Sequence, residues 1–183
     1  MGVAFNSLDG GRIDLIRYDS PALGPFKVGI YSANDEEWGA TGYLNTSLAG
    51  GKLRAQLGYQ DEDNRSGFSG IGGSASFLFS QGTALTFGFS NRDFVAAGRD
   101  DATILYFKLG HKWGNNAVAI DYFNGEDTSG NGHESDAYGI AFVHTIPKPG
   151  VELYASYKHY ELDEPGVSNE DVDIGLIGAR VKF

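Results

Sequence analysis

The stretch Thr83-Ala-Leu-Thr-Phe-Gly-Phe-Ser-Asn-Arg92 decides the fold. Leu85, Phe87 and Phe89 fall on one side of an extended chain, and Thr86, Gly88, Ser90 and Arg92 on the other. Strict alternation is the strand period, because successive Cβ atoms point to opposite faces of a sheet. The following segment repeats it: Leu105, Phe107 and Leu109 oppose Tyr106, Lys108 and Lys112. Upstream, Leu53, Ala55, Leu57 and Tyr59 oppose Lys52, Arg54, Gln56 and Gln60. Downstream, Leu153, Ala155 and Tyr157 oppose Glu152, Ser156 and Lys158.

Eleven such segments run through the chain: 12–18, 26–33, 38–48, 52–60, 68–79, 83–92, 102–112, 117–123, 137–146, 151–160 and 172–183. They cover more of the sequence than strands do in an ordinary globular domain, as a barrel requires. The sequence shows no helical period, no linker and no domain boundary, so residues 1–183 read as one domain.

The connections alternate in kind. Short, turn-like ones are Ser20-Pro-Ala-Leu-Gly-Pro25, Ala49-Gly-Gly51, Gln81-Gly82, Gly114-Asn-Asn116 and Pro147-Lys-Pro-Gly150. Polar, mostly longer ones are 34–37, 61–67, 93–101, 124–136 and 161–171. Tight turns at one end and polar loops at the other are the signature of an up-and-down outer-membrane barrel; a sandwich would need crossover connections instead.

Charge follows the same division. The five polar loops hold 18 of the 24 acids but only two of the 14 bases, Arg65 and Arg99. The net charge of −10 therefore combines an acidic loop crown with a mildly basic wall. Solvated loops explain the acids; they do not explain bases inside strands. A charge on the lipid face costs about 2–4 kcal/mol at mid-membrane, so the polar faces are expected to line a lumen. Strand parity assigns Lys52, Arg54, Arg92, Lys108, Lys158, Arg180 and Lys182 to that lining, with Asp121 and Glu152 as its acids. Arg180 and Lys182 could equally sit at the membrane rim. The same alternation would suit a soluble barrel with its apolar face inward, but eleven or more strands enclose more space than side chains can fill. Tyr31, Trp38, Tyr59, Phe94, Trp113, Tyr122, Tyr138 and Phe183 lie near strand ends, where interfacial aromatic girdles form.

Composition narrows the remaining choices. The chain lacks cysteine, which removes disulfide frameworks, thiol catalysis and Cys-ligated zinc. Its acidity disfavours a nucleic-acid partner. No apolar run is long enough for a transmembrane helix. The N-terminus, Met-Gly-Val-Ala-Phe-Asn-Ser-Leu-Asp9, has no secretory-signal pattern, which leaves a cytoplasmic chain, a processed form or a piece of a longer protein. Asp127-Thr-Ser-Gly-Asn-Gly132 echoes the start of a calcium loop, but position twelve would be Tyr138 and no helices flank it; a solvated loop is the expectation. His111, His133, His144 and His159 show no metal-ligand spacing, and no nucleophile–base pair stands out, so neither cofactor nor catalysis is expected.

The segments Arg12-Ile-Asp-Leu-Ile-Arg-Tyr-Asp-Ser-Pro21 and Gly24-Pro-Phe-Lys-Val-Gly-Ile-Tyr31 resemble the trimeric general porins of Gram-negative outer membranes. The ending Gly178-Ala-Arg-Val-Lys-Phe183 is similar to their last strand, with a terminal Phe and alternating Val181, Ala179 and Ile177. The resemblance implies strands six to sixteen of a sixteen-stranded barrel, with residues 1–11 as the return limb of the constriction loop. The first five strands would then be missing. Antiparallel closure needs an even strand number, so eleven strands leave open edges unless residues 1–8 add a twelfth. The resemblance further implies an outer-membrane location, a lipid surround and a homotrimer. The implied activity is passive diffusion of small hydrophilic solutes and ions. Arg17 matches a position that presents an arginine to the constriction; otherwise it would simply pair with Asp19. Two other readings remain at this point: a soluble all-β carbohydrate-binding domain, and an outer-membrane barrel that is not a channel.

Overall fold

A computed structural model describes residues 14–34, 37–62, 67–148 and 150–181. These form β1 (Leu15–Asp19), β2 (Phe26–Ala33), β3 (Trp38–Leu48), β4 (Gly51–Asp61), β5 (Phe68–Leu78), β6 (Thr83–Phe94), β7 (Ala102–Trp113), β8 (Asn116–Glu126), β9 (Glu134–Ile146), β10 (Val151–Asp163) and β11 (Val172–Val181). All belong to one sheet in chain order, each antiparallel to its neighbours. The first and last strands therefore run in the same direction, and neither pairs with the other among the described residues. The expected return limb at 1–11, a twelfth strand from 1–8, and Arg12, Lys182 and Phe183 lie outside the described residues.

The turn-side connections are tight. Between β3 and β4, Ala49 and Gly50 both take positive φ, 50° and 75°, the geometry of a two-residue turn whose twist matches its strands. On the opposite side, β8, β9 and β10 run about three residues further than the apolar alternation does. Asn124–Glu126, Glu134–Asp136 and Glu161–Asp163 are polar and read as loop, yet their backbones continue the ladder. Ladder hydrogen bonds need no apolar partner, so strands can extend beyond the stretch that lipid or a core must cover.

Unlike a soluble domain, the sheet leaves its large hydrophobics exposed. The buried residues Phe68, Ala102, Ile104, Ala137, Ser135, Glu37, Glu62 and Glu152 all share the parity of the polar face. The large exposed hydrophobics, among them Leu57, Phe87, Leu105, Phe107, Ile120, Ile140 and Phe142, share the other. On β9, Ala137 is 1% exposed while Ile140, on the opposite face, is 49% exposed. No second layer covers the apolar face among the described residues. Such an area of apolar surface is stable only against lipid or a partner. Four exposed residues depart from the rule: Leu15, Leu78, Ile174 and Leu176 are apolar on the polar face.

Aromatic rings gather at both ends of the outward face. Trp38 packs against Tyr59, and Tyr138 against Tyr122 and His159, on the loop side. On the turn side, Trp113 packs against His111 and Phe142, and Phe77 against Phe79. Two residues expected in these girdles lie elsewhere. Tyr31 faces Arg17 and Gly39, and Phe94 faces Phe68, so both are on the polar face. Parity decides the point: Tyr31 alternates with Val28 and Ile30, and β6 continues past Arg92 to bring Phe94 onto the same side as that arginine.

Candidate pore-lining face

The register places Arg17, Lys52, Arg54, Arg92, Lys108, Asp121, Glu152, Lys158 and Arg180 on one face of the sheet. Arg17 is opposite Tyr31, Tyr31 opposite Gly39, and Gly39 opposite Gln60, which shares a side with Lys52 and Arg54. Arg54 faces Ser76, Ser76 faces Thr86, and Thr86 faces Lys108, with Arg92 in phase. Lys108 faces Asp121, Asp121 faces Gly139, Gly139 faces Lys158, and Glu152 faces Arg180.

Ion pairs among the described residues organise this face. The Arg17 guanidinium donates to both Asp19 carboxylate oxygens at 2.9 Å and to the Tyr43 hydroxyl at 3.1 Å. Arg17 therefore sits on the polar face and pairs with Asp19, as expected of an arginine near the end of that strand. Arg180 donates to Glu152 from Nε at 3.0 Å and also from Nη2. Lys158 Nζ lies 3.0 Å from Asp121 Oδ2. Arg92 covers the Phe68 ring at 3.8 Å, a cation–π contact at the loop end. Lys52, Arg54 and Lys108 make no ion pair among the described residues, and they leave the turn-side half of the face basic.

Between the charges lies a neutral groove of about 410 Å³. Gly58, Gly70, Gly72 and Gly88 leave its floor without side chains, and Tyr31, Tyr43, Tyr106, Gln56 and Gln60 line it. The glutamines were legible as polar-face residues. Tyr106 was legible in the same way, opposite Leu105; Tyr31 reads as girdle by its nearness to a strand end, and for it and Tyr43 odd position is the available signal.

On the loop side, Arg99 donates to Asn131 Oδ1 at 2.9 Å and to the Asp127 carbonyl, and Asn131 returns a hydrogen bond to the Gly98 carbonyl at 2.6 Å. These contacts latch the 95–101 connection onto the 127–133 connection. The Asp127–Gly132 segment is thus an interlocking loop: Asp127 Oδ1 accepts from the Gly132 amide. One group among the described residues has metal-ligand proximity. His159, Glu161 and Asp171 bring ligand atoms within 4.8 Å of one another on the outward rim. Sequence spacing hid this group, because two of its members alternate along a strand and the third returns across a loop.

A single-layer antiparallel meander, with large apolar side chains exposed on one face and charged and polar side chains gathered on the other, defines the wall of a transmembrane β-barrel. The chain belongs to the Gram-negative porin family, whose model matches residues 1–165. Two solved structures share the fold. The crystal structure of Pseudomonas aeruginosa OpdK with vanillate aligns at a TM-score of 0.63 and 12% identity, covering 91% of this chain and 56% of that one. The improved crystal structure of P. aeruginosa OccK1 (OpdK) aligns at 0.58 and 13% identity, covering 91% and 60% respectively. The chain thus spans less than two thirds of the length of either. No curated protein matches the sequence. No helix among the described residues is long and apolar enough to cross a membrane.

Proposed function

We propose that this chain forms wall of a water-filled pore in a Gram-negative outer membrane, through which small hydrophilic solutes and ions diffuse without reaction. The sidedness of the sheet carries the reading: charged and polar side chains gather on one face, and large hydrophobics lie exposed on the other. Lipid solvates the apolar face, and water and solute occupy the space beside the polar one. A soluble carbohydrate-binding domain would have to leave the apolar face bare.

The nine charged residues then act on passing solutes through their fields. Arg17, Arg180 and Lys158 are each held by a carboxylate, so they present oriented dipoles more than net charge. Lys52, Arg54 and Lys108 supply net positive potential. The porin belongs in lipid, with a homotrimer as its assembly and no enzymatic step or cofactor in its activity.

Planar-bilayer conductance of the folded protein, released from detergent, tests this. Stable, repeated current steps are expected. Silence from protein whose strand content and lipid insertion are verified would overturn pore formation by these 183 residues.

A further inference from the structure

We propose that the groove between β2 and β7 is a binding site for neutral polyhydroxylated solutes, of the size of one or two sugar rings. As a step in passage this rests on the pore reading; as a binding site it does not. The face around the groove carries Arg17, Arg54, Arg92, Lys108, Asp121 and Lys158, yet no residue lining the groove is charged. Its volume, about 410 Å³, lies within the roughly 300–1,000 Å³ of small-molecule sites.

The lining matches one ligand chemistry. Gln56 and Gln60 each offer an amide that both donates and accepts, and Ser74 and Ser90 add hydroxyls. A polyol, whose hydroxyls also donate and accept, can satisfy such groups in either sense. Tyr31, Tyr43 and Tyr106 provide ring surface for the C–H faces of a sugar, and the Tyr106 hydroxyl can meet its edge. The glycine floor lets a flat ring approach the backbone. The lining holds no charged side chain, and Arg17, which reaches the Tyr43 hydroxyl at its edge, is already held by Asp19, so charged solutes that lose hydration on entering are disfavoured there. Their attraction is to the charged flanks.

Saturation-transfer NMR on the folded full chain, in a detergent without a sugar headgroup, tests the assignment. Glucose, gluconate and glucosamine serve as neutral, anionic and cationic probes of nearly equal size. Glucose should receive at least about threefold more saturation than either charged probe. Gly88→Val should abolish most of it. A Cβ at Gly88 meets nothing closer than the Tyr106 Cβ at 3.6 Å, so this change fills the groove without forcing the sheet. Tyr106→Leu, which removes one ring, is the second variant. Equal saturation of the three probes, none at all, or glucose saturation unchanged in both folded variants would overturn the site. Conductance decides the pore separately: current without glucose saturation sinks only the groove, and glucose saturation without current sinks only the pore.

Discussion

Asp121 on β8 and Lys158 on β10 meet at 3.0 Å although β9 runs between them. The residue that separates them is Gly139, paired with Asp121 on one side and Lys158 on the other. A Cβ at that position would collide with the Asp121 carboxylate. The missing side chain lets the carboxylate lie across the middle strand, so the pair ties three strands together rather than two. The same device recurs at Gly29, whose bare backbone lies under the Arg17–Asp19 pair.

Gly139→Val should therefore separate the ions and strain the strand. We expect a loss of about 1–3 kcal/mol, as for other overpacked sites, in urea unfolding of the protein in lipid vesicles. An unchanged unfolding midpoint would show that the carboxylate does not need the space.

Adjacent residues on β6 give a test of which face meets lipid. Phe87 is outward and 49% exposed, whereas Thr86 faces the other way and hydrogen-bonds Ser76 at 3.0 Å. Phe87→Arg should cost about 2–4 kcal/mol of membrane stability. Thr86→Arg should cost about 1 kcal/mol, the worth of the lost hydrogen bond. Folding yield into vesicles, read by electrophoretic mobility without heating, ranks the two; the reverse order would invert the assignment of faces.

The face itself was legible from alternation alone, because a strand has only two sides and a charge placed on the wrong one is expensive. Eleven strands, their order and the polarity of the connections were all readable in the same way. What escaped was local. Tyr31 and Phe94 were read by nearness to a strand end rather than by parity. The polar continuations of β8, β9 and β10 were read as loop, since backbone pairing in water leaves no hydrophobic trace. The bridge across Gly139 and the His159–Glu161–Asp171 group needed register, and pairing offsets between distant segments are not written in either segment alone.

Lys52 and Arg54, which make no ion pair among the described residues, should set ion preference more than Arg17 does. Replacing both with Glu reverses two charges on one strand. The anion-to-cation permeability ratio, from reversal potentials across a salt gradient, should fall by about tenfold, and Arg17→Ala should move it the same way but less. The distinction rests on Asp19 already holding the Arg17 guanidinium. An equal or larger effect of Arg17→Ala would place the controlling field at β1 instead.

The loop latch predicts a change in cleavage without a change in the barrel. Arg99→Ala removes the donor to Asn131 and Asp127, and Asn131→Ala removes the return bond to Gly98. Either should raise the rate of proteolysis within 124–136 by about fivefold, an opening of roughly 1 kcal/mol, while the membrane-protected fragment keeps its size. Cleavage rates equal to the parent protein would mean the connection is ordered by other contacts.

Trp38 and Trp113 lie on the outward face at opposite ends of the strands. In vesicles of brominated lipid, shallow bromine positions should quench their emission more strongly than deep ones, as for interfacial residues. Stronger quenching from the bilayer centre would displace the girdles from the headgroup level.

Each strand pairs with the strands next to it in the chain, and with no other among the described residues. Register is therefore written hairpin by hairpin, with no long-range closure needed to fix it. A pair of strands can be gained or lost during evolution as a unit, and the flanking strands keep both their direction and their sidedness. Such a wall has a circumference that can be edited in steps of two strands. Porins of different bore can then share one pattern of side chains, and a new loop arrives with each step to be shaped by separate selection.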